Sequence, residues 1–244
     1  MRLGIEKSIV SRILATLEQE GYVVREEASD SFQVGLRFAA IALRHIDETG
    51  VSDLCLPILR KAAQKSGELV QLAIVQNDQM IYVAKAEGQQ RIRVLSLLGR
   101  SAVLHASAAG KVWLASLPEQ RALALALKDG RLEKHTDHTI VKVDQLRADL
   151  AQARKNKFAT VDQELFDGAC AVGVPVTDRR DERVLGAVIL SGPTYRLQKK
   201  RLVSFVPLLQ SVANELTELG NIDIHFGHGA RTEADDYADD RKQA

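Results

Sequence analysis

The chain has 244 residues, enough for one large or two small domains, and its composition (45% hydrophobic, 27% charged) is that of an ordinary globular protein. The formal net charge is +1, so no global basicity points to nucleic acid, and any DNA contact must come from local surface. No run is long and apolar enough to span a membrane, no N-terminal signal pattern is visible, and Cys55 and Cys170 have no metal-ligand spacing. A cytoplasmic protein with buried thiols is expected, with no cofactor and no metal.

Ile9, Val10, Ile13, Leu14 and Leu17 fall at helical spacing. The opposite face carries Ser8, Ser11, Arg12, Ala15 and Gln19, small or long hydrogen-bonding side chains of the kind a DNA major groove accepts. Residues 2 to 16 carry Arg2, Lys7 and Arg12 against Glu6 alone. Gly21 stops this helix, because glycine takes the left-handed conformation without penalty. Two strand-like stretches, 22–25 and 32–34, follow around polar turn residues 26–31. Helix, strand, turn, strand is the second half of a winged helix-turn-helix. Pattern alone fits an ordinary amphipathic helix and hairpin equally well.

Residues 36–47 are helical and apolar on nearly every side, which demands a cover. A second helix runs from Val51 to Ser66, with Pro57 read near its first turn. Strands are expected at 69–75 and 80–84 about the turn Gln76-Asn77-Asp78-Gln79, and a third at 91–97, where Ile92 and Val94 alternate with Arg91 and Arg93. Ser107 reads as the N-cap of a helix through Ala115. Helices follow at 118–128 and 144–155, then strands at 158–162, 169–176 and 184–190, and one closing helix at 197–219. This mixture is α+β, one antiparallel sheet flanked by helices. The acidic tail, 221–244, is expected to be disordered.

The stretch LGIEKSIVSRILATLEQEGYVVRE…FQVGLRF resembles the recognition helix and wing of the IclR family of bacterial transcription regulators, whose pattern reads LGLPKSTVSRLLATLEREGYV, a wing, then YRLGPRL. LHASAAGKVWLA, HTI, ATVDQEL…G and SGPTYRL resemble that family's effector domain. The resemblance covers residues 3 to about 219. It implies a winged helix-turn-helix at 1–35, a linker helix at 36–50 that packs between domains and against a partner subunit, and a GAF-like effector-binding domain at 51–220. The family carries two further helices before the recognition helix. Their absence ahead of Met1 implies either a start upstream or an incomplete reading head. The partners implied are a double-stranded DNA operator, a small carboxylate effector and further copies of the chain, as a homodimer or homotetramer, with no membrane. The VDQEL stretch most resembles the branch that controls aromatic-acid catabolism through the β-ketoadipate pathway.

The DNA-contacting residues read this way are Lys7, Ser8, Ser11 and Arg12. For the effector, the N–H groups of Ala108, Ala109 and Gly110 open a helix and attract an anion, although Ser107 and a water would satisfy them equally well. Ser191 matches a family pocket position, and Asp162 lies near the family's pocket aspartate; both also suit strand-end hydrogen bonding. The family often has Cys or Ser where Ala171 stands and Ser where Ile189 stands. These departures imply a more apolar pocket and a larger or more apolar acid than a two-carbon one. His135 and His138 have ligand-like spacing but no Cys or carboxylate cluster, and read as a solvated loop. Ser107, His105 and Asp162 come without a GxSxG elbow, so no catalytic residue is assigned. Two functions follow: a ligand-controlled DNA-binding regulator, and a small-molecule binding module that has lost DNA binding.

Overall fold

The computed structural model describes residues 5–26, 29, 31–49 and 51–219, with only the backbone at 45–49 and 51–53. Arg2 and the acidic tail lie outside the described residues. The chain forms two units, Met1–Ser52 and Asp53–Ala244.

The first unit contains α1 (Lys7–Gln19), β1 (Val23–Glu26), β2 (Ser31–Val34) and α2 (Leu36–Thr49). Gly21, at φ +72°, turns the chain out of α1, and the Tyr22 N–H closes the turn on the Leu17 carbonyl. The hairpin pairs Val23 with Val34 and Glu26 with Ser31, antiparallel. Gly35 then passes so close that a Cβ there would lie 2.4 Å from the Gly21 carbonyl oxygen. The start of α2 is held to the turn between α1 and β1 by the Tyr22–Phe38 ring contact at 5.2 Å and by Arg37, which pairs with Glu20 and lies over Tyr22. Val10, Leu14 and Leu17 of α1 are half-buried, whereas Ile9 and Ile13 are exposed. Along α2, Leu36, Phe38, Ile41 and Leu43 are all exposed.

α3 (Val51–Ser66) leads into the second unit. Its Pro57 sits well inside the helix rather than in the first turn, so one interior hydrogen bond is forgone. β3 (Leu69–Gln76) and β4 (Gln79–Ala86) form a hairpin whose turn residues, Asn77 and Asp78, have φ of 48° and 60°. Positive φ at both positions is the primed geometry that matches strand twist. Three helices follow: α4 (Ala108–Ser116), α5 (Glu119–Ala126) and α6 (Val143–Asn156). Then come β5 (Ala159–Asp162), β6 (Ala169–Thr177), β7 (Val184–Pro193), α7 (Lys199–Ser204) and α8 (Val206–Glu218). The sheet order is β4-β3-β7-β6-β5, antiparallel throughout.

Side chains alternate across this sheet. Ala73, Ala187, Ile189 and Ala171 belong to the core under α4, and the small size of the three alanines lets the helix approach closely. α8 packs on β6 and β7, burying Leu209, Val212 and Leu216. Two expectations fail here. Residues 91–97 form no strand, because the outer edge of β4 is already taken: Tyr82 and Met80 bond to Gly99, Arg100 and Ala102. The closing helix is broken into α7 and α8 at Phe205, since Pro207 lacks the N–H needed to continue a helix but is tolerated in the first turn of a new one.

Candidate ligand site

Ser107 is extended, at φ −119° and ψ 149°, and its hydroxyl accepts from the Gly110 N–H at 3.1 Å. That capping bond satisfies one of the free donors at the start of α4. The N–H groups of Ala108 and Ala109 have no protein acceptor among the described residues. Gly110 faces the protein, not open space: a Cβ there would lie 2.4 Å from Leu104 Cα. Its glycine therefore serves close packing, and its N–H is already used.

Between this helix start and the sheet lies a cavity of about 60 Å³. Its floor is Gln71, Ala171, Ile189 and Ser191, and Ser107 and Ala108 form one end. Val94, Leu95 and Leu97 wall it from the segment that forms no strand; Leu165 and Phe166 come from the loop after β5. A water needs about 10–15 Å³ of such space, so the cavity takes roughly four to six water-sized groups. None of its walls carries a charged side chain. Tyr82 and Cys170 stay neutral, because burial pushes both up to about 12. The Cys170 thiol donates to the Leu197 carbonyl at 2.9 Å, and Cys55 is likewise a buried free thiol.

Four of the sequence-derived residues, Ala108, Ala171, Ile189 and Ser191, border this one cavity. Ala109 is fully buried behind it. Asp162 does not border it: the two-residue alternation of β5 turns Val161 inward and leaves Asp162 exposed. Gln71 was missed, although a lone amide in the apolar run 69–75 is a visible signal.

The family-like motifs meet just behind this cavity. Lys111, with no exposed surface, places Nζ 2.5 Å from Glu164 Oε1 and 2.7 Å from Asp149 Oδ2. Burial pushes the Glu164 carboxyl above the usual range, and Lys111 pulls it part of the way back. The Thr139 hydroxyl donates to the Glu164 carbonyl and the Thr136 hydroxyl to the Gln163 carbonyl, both at 2.6 Å. These bonds fix the loop that presents Leu165 and Phe166. On the other side, Arg196 pairs with buried Glu68 at 2.6 Å and donates to the Ile92 carbonyl at 2.7 Å, which anchors the 91–97 segment. His105 donates from Nε2 to the Glu133 carbonyl, so it serves the fold; His135 and His138 are exposed. Among the described residues no cluster of metal-ligating side chains occurs.

In the first unit, Lys7, Ser8, Ser11 and Arg12 are all exposed on α1. Ser8 makes one long hydrogen bond, 3.4 Å, to Glu6. Among the described residues no helix is long and apolar enough to cross a membrane.

The family model described as bacterial transcriptional regulator IclR C-terminal matches residues 43–218. The regulator BhcR of Paracoccus denitrificans is 30% identical over 243 residues, 97% of this chain and 81% of that protein. The acetate operon repressor of Salmonella typhimurium is 30% identical over 216 residues, 88% of this chain and 78% of its own. The crystal structure of the Thermotoga maritima IclR superposes with a TM-score of 0.69 at 26% identity, covering 89% of this chain and 87% of that one.

Proposed function

The chain belongs to the IclR family of bacterial transcriptional regulators, and from that premise we propose that it controls a catabolic operon by sensing a small carboxylate in the cavity between α4 and the sheet. One observation carries the reading: the cavity offers donors and neutral walls. Ala108 borders the cavity, and its N–H, free among the described residues, lies at a helix start, where the backbone dipoles favour an anion; the Ala109 N–H is the next along the helix. The Ser191 hydroxyl supplies a further hydrogen bond, and Ala171 and Ile189 supply apolar contact. A similar regulator represses an acetate operon, which agrees with a small acid. The VDQEL stretch points to an aromatic acid as one candidate of this class.

Lys7, Ser8, Ser11 and Arg12 enter the operator major groove in this reading, with α1 as recognition helix. The exposed Leu36 and Leu43 of α2 pack against a second copy, giving a two-fold dimer that reads two half-sites. Effector binding shifts operator affinity only if the acid prefers one arrangement of the protein, and operator DNA then changes acid affinity by the same factor.

The test is calorimetry with a panel of carboxylates on the wild type and on two variants. Ala171→Phe fills the cavity and is expected to abolish binding; Ser191→Ala is expected to weaken it about tenfold, the loss of one hydrogen bond to a charged group. Equal affinity in all three proteins contradicts the site.

A further inference from the structure

Gln71 stands alone as an amide in the apolar run of β3, and it is 2% exposed. Its Nε2 is buried without a hydrogen-bond partner among the described residues, and the side chain borders the cavity. Native interiors rarely leave a buried donor unpaired, and each exception asks for an explanation.

The strand register supplies the geometry. Gln71 lies opposite Ile189 on β7, and Ile189 lies opposite Gly173 on β6. A Cβ on Gly173 would come 3.2 Å from the Ala108 carbonyl oxygen, so the α4 start stands over that third strand. Two strand spacings, about 9–10 Å between backbones, separate Gln71 from it. An acid whose carboxylate sits at Ala108 therefore extends across Ile189 with its far end toward the Gln71 amide.

We infer that Gln71 is the specificity-determining residue of this cavity, its Nε2–H donating to a second acceptor, an oxo or hydroxyl oxygen, at the end of the effector away from the carboxylate. This inference rests on the effector reading of the cavity. The second group is uncharged, because no wall side chain carries a charge to match a second carboxylate or an ammonium. An acid lacking that oxygen leaves the amide unpaired and is rejected, which is how a site built around a hydrogen bond discriminates.

Two matched pairs test it: 4-oxopentanoate with pentanoate, and 4-hydroxybutanoate with butanoate. Each acid is titrated calorimetrically into the full chain, as wild type, Gln71→Leu and the unbranched Gln71→Met. The wild type is expected to bind the oxygenated member of at least one pair about tenfold or more tightly than its partner. Both variants are expected to bind the two members within about threefold of each other and to melt no lower than the wild type, since an orphaned donor has gone. Equal wild-type affinity within each pair, the result if water holds the amide, overturns the inference and leaves the effector cavity standing. So does a preference that survives in both variants. No heat and no thermal shift with any of the four acids overturns the cavity reading and this inference with it.

Discussion

Replacing Lys111 by Met tests the network behind the cavity. Lys111 is fully buried and bridges Glu164 and Asp149. Methionine keeps the length and the apolar stem but removes the charge. Asp149 is 36% exposed and can be rehydrated; Glu164 is 10% exposed and cannot. Breaking a buried pair from one side costs about 3–5 kcal/mol, because the remaining charge is uncompensated. At about 2–4 °C per kcal/mol, the melting temperature should fall by roughly 6–20 °C near neutral pH. The pH dependence has a definite sign. Burial raises the Glu164 carboxyl above its ordinary value, and without Lys111 it rises further. A raised folded-state value favours the native protein when the group is protonated, so the deficit is smallest in acid and grows as pH rises through the folded value. Adding Glu164→Leu should recover most of the loss. Urea denaturation of wild type, Lys111→Met and the double variant between pH 5 and 8 makes the measurement. A Lys111→Met protein as stable as wild type, or one whose deficit is the same at every pH, would refute the reasoning.

Two further outcomes follow for the first unit. Arg12→Ala should cost about 1–3 kcal/mol on the operator and less on random DNA, read by fluorescence anisotropy; equal losses would leave Arg12 only a phosphate contact. Leu43→Glu puts a charge on the exposed apolar face of α2 and should lower the light-scattering mass toward the monomer; an unchanged mass places the assembly surface elsewhere.

Where local chemistry decides structure, the sequence was readable. Gly21 ends α1, Asn77-Asp78 makes the β3–β4 turn, and Ser107 caps α4, each through a bond or backbone angle its own residue type favours. Residues 91–97 were misread because alternation cannot reveal that a neighbouring segment already occupies the sheet edge. Asp162 and Glu164 show the same limit in the site. Both lie in one acidic stretch, yet strand alternation sends the first to solvent, and the second meets a lysine 53 positions earlier in the chain. Gln71 borders the cavity only because β3 lies beside β7, a non-local pairing.

The effector cavity itself is tested most directly by a crystal structure of the chain grown with the carboxylate that binds it most tightly. The acid is expected between α4 and the sheet, with its carboxylate oxygens within hydrogen-bond distance of the Ala108 and Ala109 N–H groups and the Ser191 hydroxyl, and apolar contact at Ala171 and Ile189. An acid bound elsewhere on the protein, or one lying in this cavity with its carboxylate turned away from the start of α4, would contradict it.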